Sequence, residues 1–82
     1  MQSAVDTAIK DRFFEAINLL VASKVLRGKK TFCDEMGINR GMFYFVETGK
    51  CTIRPSWLTH LVKEYKVSAS WLLTGRGKML RA

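Results

Sequence analysis

The sequence predicts an all-α fold, and three observations carry that prediction. Apolar residues recur at steps of three and four through most of the chain, the period of a helix with one buried face. Glycines and capping residues interrupt that period at intervals of one short helix. No segment alternates apolar and polar residues strictly enough to make a strand. The β-formers at 42–46 are a short run between a helix-capping Asn39 and Gly49.

The first helix is read from the stripe Val5, Ile9, Phe13, Ala16, Ile17 and Leu20. Ser3, with Asp6 three residues later, has the spacing of a capping box. Asp11 is the alternative cap of a shorter helix. Leu26, Arg27 and Gly28 end this helix or follow its end. A second, short helix over Lys29 to Met36 carries Phe32, Cys33 and Met36 on one face. Gly37 stops it, where a left-handed residue is needed. Asn39 caps the third helix, Phe43 and Val46 share its inner face, and Gly49 stands where it should stop. Gly41 falls in its first turn, where a glycine costs little and permits close approach. Residues 50–55 form a basic loop that ends in the single proline. The fourth helix runs from about Ser56 to Tyr65 with Leu58, Leu61, Val62 and Tyr65 inward. Ser68 caps a fifth helix through Trp71, Leu72 and Leu73, which Gly75 stops. The tail, Arg76 to Ala82, is basic and expected to be mobile.

Length and composition give one domain over residues 1–82. Hydrophobic residues are 48% of the chain, with 5 Phe and 2 Trp, enough to close one core without staples. Trp57 and Trp71 are read as core or dimer-contact residues, and Cys33 as a small buried hydrophobe. Cys51 falls in a loop, and the single histidine, His60, points to the surface. The balance of 14 Lys+Arg against 7 Asp+Glu leaves a net charge of +7. So large an excess suits a polyanion, either nucleic acid or an anionic membrane surface, with self-repulsion that keeps a protein soluble as the lesser reading. Lys24, Arg27, Lys63 and Lys66 are most simply solvated.

Several classes are disfavoured. No apolar stretch approaches the roughly 20 residues of a membrane span. The first residues contain Asp6 and Asp11 and lack the basic-then-apolar order of a signal peptide. Nothing in the use of Cys33 and Cys51 calls for an oxidising compartment, so the cytoplasm is expected. Two cysteines 18 residues apart and one histidine make no zinc site. The scattered carboxylates and the absence of a glycine-rich phosphate loop argue against an enzyme. No cofactor and no small-molecule ligand are expected.

Two short helices joined by a tight glycine-containing turn, within a larger helical frame, describe a helix-turn-helix over about residues 29–48. The second helix of such a unit presents its first residues to base edges in the major groove. Its free N–H groups and positive dipole end favour phosphate.

From here the chain resembles a known family. The residues are Phe32, Cys33, Met36, Gly37, Ile38 and Asn39, then Phe43, Val46, Glu47, Gly49 and Lys50, then Leu58, Leu61 and Val62. Val67, Ser68 and the run Trp71 to Gly75 complete the pattern, which covers roughly residues 12 to 80. In order and spacing they resemble the lambda-repressor-like, Cro-type family of bacterial and phage transcriptional regulators, also called the xenobiotic-response-element family. The resemblance implies a compact five-helix DNA-binding domain and a homodimer on a double-stranded operator. Carried over by position, the base-reading sites are Arg40, Gly41, Tyr44 and Phe45. The phosphate sites are Lys29, Lys50, Thr52 and Arg54, to which Lys30 and Asn39 add by their place beside the reading helix. The core sites are Cys33, Met36, Ile38, Phe43, Val46, Leu58 and Leu61, close to the inner faces read from periodicity. The family's glutamate in the third helix, Glu47 here, often pairs with an arginine of the first.

The chain also departs from that pattern. Its second helix opens with Gly28 and Lys29 where the family usually has Ser-Gln. Its third shows Tyr44 and Phe45 outward where Gln, Ser, Thr or Arg is usual. Arg40 can fork onto guanine O6 and N7. Tyr44 and Phe45 suit thymine methyls and sugars, a larger core, or a protein surface. Two expectations result. The first is a transcriptional repressor that reads DNA with the helix at about 39–48. The alternative is a protein-interaction module, or an antitoxin, on the same fold.

Overall fold

The helices expected from the periodicity form in the expected order. The computed structural model describes residues 4–81. They fold as α1 (Ala4–Ala22), α2 (Lys29–Met36), α3 (Arg40–Glu47), α4 (Pro55–Tyr65) and α5 (Ala69–Thr74). Among the described residues the fold is all-α, and its one β-type pairing is an isolated antiparallel bridge between Val67 and Leu80. No described helix is long and apolar enough to cross a membrane.

Aromatic rings from four helices make the centre of the core. Phe13 of α1 meets its neighbour Phe14 edge-on at 5.0 Å and Phe32 of α2 at 5.4 Å. Phe14 meets Phe43 of α3 at 5.2 Å, and Phe43 stacks on Trp57 of α4 at 5.7 Å, 21° from parallel. Each such contact adds about 0.5–1.5 kcal/mol beyond the area it buries. Ile17, Leu20, Leu26, Leu61, Val67 and Leu72 close the core around these rings. No buried polar side-chain atom among the described residues lacks a partner.

Local chemistry sets the α2–α3 turn. Gly37 ends α2 at φ 67°, a left-handed conformation that glycine adopts without strain. The Gly37 N–H then donates to Asp34 O at 3.3 Å and the Ile38 N–H to Cys33 O at 2.8 Å, a Schellman closure. Asn39 starts the next helix two residues later. Fixing both ends of so short a connection sets the direction in which α3 leaves α2.

Several expectations are corrected. Ser3 lies outside the described residues. Asp11 is no cap, since it sits inside α1 beside Lys10 at 3.3 Å. The buried stripe of α1 begins at Phe13 and includes Phe14, while Ile9 is half-buried and Val5 exposed. Met36 and Ile38, expected in the core, are half-buried against it. On α4, Trp57 and Leu61 are buried, while Leu58, Val62 and Tyr65 are half-buried. Trp57, stacked on Phe43, takes the inward place on α4 that Leu58 was expected to hold. His60 is not a surface residue: its side chain is 18% exposed and meets the Phe32 ring at 5.5 Å.

The tail is pinned rather than loose over the residues described. Ser68 N donates to Met79 O at 2.7 Å and Arg81 N to Lys66 O at 2.8 Å. The Arg81 guanidinium caps Val62 O at 2.6 Å. Main-chain pairing overrides the composition signal, because a basic sequence does not prevent backbone bonding. Trp71 and Leu72 are buried within their own subunit, so Leu73 alone of that trio is left exposed.

Candidate nucleic-acid interface

The outer face of α3 is built from its first residue. Asn39 Oδ1 accepts from Gly41 N at 2.7 Å and from Met42 N at 3.4 Å, satisfying two N–H groups that a helix start leaves open. A Cβ on Gly41 would lie 2.9 Å from that same oxygen. The glycine therefore lets the cap close, which gives it a role within the chain as well as toward a ligand. Asn39, read as a phosphate site, has its side-chain oxygen engaged here and keeps only its amide N–H₂ for anything outside.

Phe43 and Val46 anchor α3 to the core, and what they leave outside is Arg40, Gly41, Tyr44 and Phe45. Tyr44 is 57% exposed and Phe45 44%, with ring centroids 6.4 Å apart. All four base-reading candidates thus share one open face. Lys50, in the loop that follows, holds its Nζ 5.6 Å from the Phe45 ring centre, within cation–π range.

The phosphate candidates divide. Lys30, Lys50, Thr52 and Arg54 are exposed. Lys30, Lys50 and Arg54 take part in no ion pair among the described residues, and neither does Arg40. Lys29 is different, since its Nζ lies 2.7 Å from Glu47 Oε2. The glutamate's partner is thus a lysine of α2, not an arginine of α1. The α1 arginine, Arg12, instead donates Nε to Leu72 O at 2.9 Å and Nη2 to Leu73 O at 3.0 Å, capping α5.

A cleft of about 300 Å³ runs between the α2–α3 turn and the start of α4. Asn39, Arg54 and Ser56 line it on the polar side, and Ile38, Met42 and Trp57 on the apolar side. It places Arg54 and the capped N-terminal end of α3 on one cleft.

Outside this face, sequence reasoning missed one polar cluster. The Tyr65 hydroxyl donates to Glu35 at 2.6 Å to Oε1 and 2.7 Å to Oε2, and His60 Nε2 stands 2.9 Å from Oε1. The Tyr65 bond, then that of His60, holds the Glu35 carboxyl below its usual range. Burial, then the Glu35 bond, pushes the Tyr65 hydroxyl up to about 12. The three side chains clasp α2 to α4. Their separations in sequence, 25 and 30 residues, leave no local signal to find them by. Burial also pushes the Cys33 thiol up, which disfavours a reactive thiolate. Among the described residues, no three His, Cys, Asp or Glu side chains gather where they could hold a metal ion. No family model, curated protein or solved structure matches this chain.

Proposed function

We propose that this chain is a sequence-specific DNA-binding transcriptional regulator, acting as a repressor, with α2 and α3 as a helix-turn-helix of the lambda-repressor-like kind. In this reading α3 lies in the major groove and occludes a promoter. The observation that carries it is the open face of Arg40, Gly41, Tyr44 and Phe45, with exposed Lys30, Lys50 and Arg54 to either side in sequence. Arg40 forks onto a guanine edge. The lysines and Arg54 sit on phosphates, with Lys29 a lesser contributor because it is already paired with Glu47. Two copies bind a pseudo-palindromic operator with half-sites about 34–36 Å apart, and Leu73 is the exposed apolar residue of α5 available to their contact.

Selection from a random-sequence duplex pool tests the reading, followed by titration at several salt concentrations. A defined site should emerge, with affinity that falls steeply with salt. Lys30→Ala and Arg54→Ala should each flatten that salt slope by about one unit. Recovery of no site, with salt-independent or absent binding, overturns the proposal. The exposed Tyr44 and Phe45 rings favour a second reading, in which this face binds a protein, as in an antitoxin. That reading is the one left standing by such a result.

A further inference from the structure

The outer face of α3 is poor in hydrogen-bonding groups and rich in apolar surface. Successive helical residues turn by about 100°, so Tyr44 and Phe45, at i+3 and i+4 from Gly41, flank the line that runs out from the glycine. Phe45 has no side-chain donor or acceptor, and Tyr44 has one hydroxyl at its tip. The Thr48 hydroxyl is turned back onto its own helix, donating toward Tyr44 O at 3.1 Å and Phe45 O at 3.3 Å. Arg40 is left as the one forked donor on this face.

A base pair offers a single kind of apolar group to the major groove, the C5-methyl of thymine. The two rings are 6.4 Å apart, about two base-pair rises of 3.4 Å. Lys50 holds its charge over one side of the Phe45 ring at 5.6 Å, setting a cation beside the apolar surface. An apolar patch bordered by cations complements a groove whose walls are phosphate and whose floor carries methyl groups.

Resting on the DNA-binding reading, we infer that this protein reads its site chiefly through thymine methyl groups. Phe45 and Tyr44 contact one methyl each within a half-site, and Arg40 supplies the one forked hydrogen-bonded contact beside them. Specificity of this kind is carried by buried CH₃ groups rather than by a row of amide-to-base hydrogen bonds.

Deoxyuridine tests it, because it keeps every hydrogen-bonding group of thymidine and lacks only the methyl. The probe is the duplex selected from the random pool, resynthesised with deoxyuridine in place of thymidine at one position at a time. Two positions in each half-site should lose affinity by about fourfold each, the worth of one buried methyl-sized group. Phe45→Ala should abolish the loss at one of them and Tyr44→Ala at the other, with thermal melting showing both variants folded. If every uracil duplex binds as the thymine parent does, and the steep salt dependence remains, the methyl inference is overturned while the DNA reading stands. If the uracil losses persist undiminished in both variants, the assignment to Tyr44 and Phe45 is overturned. If selection yields no site and no salt-dependent binding, the DNA reading fails and this inference with it.

Discussion

Phe43 and Tyr44 are adjacent in one helix and have opposite surroundings. Phe43 is 4% exposed and touches rings from α1, α2 and α4, whereas Tyr44 is 57% exposed. Elsewhere this fold supplies partners for groups near its surface. Arg12 caps the end of α5, Tyr65 and His60 hold Glu35, and Arg81 caps Val62. Set beside these, α3 carries two adjacent exposed rings next to Arg40 on one face. The difference teaches that position in a helix decides the fate of a ring more than its chemistry does. It also shows where to look for a ligand.

The largest effect is expected on the inner side of this comparison. Phe43→Ala removes a ring wedged between Phe14 and Trp57. It should cost about 3–5 kcal/mol of stability, which in a domain this small approaches the whole. Chemical denaturation reads it directly. A loss below about 1 kcal/mol would mean that the core closes without this ring, and the contrast with Tyr44 would collapse.

Next comes the cap between α1 and α5. Arg12→Met keeps most of the aliphatic stem and removes the bonds to Leu72 O and Leu73 O. The cost should be about 1–3 kcal/mol, toward the low end where water replaces the outer bond. Amide hydrogen exchange should show α5 opening more readily than α3. Equal protection in α5 before and after the substitution would deny the cap its role.

The α2–α4 clasp should respond to pH at both ends of the scale. Glu35 has its folded pKa lowered, so its contribution is present above the ordinary value of 4.5 and is lost as pH falls through the folded value. Tyr65 has its folded pKa raised, so its contribution is complete below 10.0 and is lost as pH climbs toward about 12. Tyr65→Phe should flatten both limbs of a stability–pH curve and cost about 1 kcal/mol at neutral pH, since the carboxylate is partly solvated. An acid limb as steep in the variant as in the parent would show that the Tyr65 bond to Glu35 contributes nothing.

These groups also mark how far the sequence could be read. The periodicity of apolar residues places all five helices, and Gly37, Asn39 and Ser68 place their ends, because those signals act within a few residues. The open face of α3 is partly legible for the same reason: with Phe43 inward, steps of about 100° require at least one of Tyr44 and Phe45 to be exposed, and the structure exposes both. Long-range pairings are not legible. Nothing local tells Arg12 to reach α5, tells Glu47 to take Lys29, or turns α4 so that Trp57 leads. Those choices are made by packing among elements that meet only in three dimensions. The tail misleads for a different reason, since composition does not report the main-chain bonds that, with the Arg81 guanidinium, anchor it.

The smallest expected effect is the most informative about the comparison. Tyr44→Ala and Phe45→Ala should change stability by no more than about 1 kcal/mol each, in either direction. For Phe45 the losses are part of the ring's burial and an exposed cation–π contact with Lys50, worth about 0.5–1 kcal/mol. Opposing them is the helix propensity of alanine, better than that of phenylalanine or tyrosine by roughly 0.5 kcal/mol. Tyr44 has still less to lose, because more of it is in water. Melting curves beside that of Phe43→Ala make the measurement. A drop of about 3 kcal/mol in either outer variant would place that ring in the core and remove it from any interface. Near-parental melting in both, next to a collapsed Phe43→Ala, would establish that one helix holds the molecule together on one side and leaves the other free for recognition.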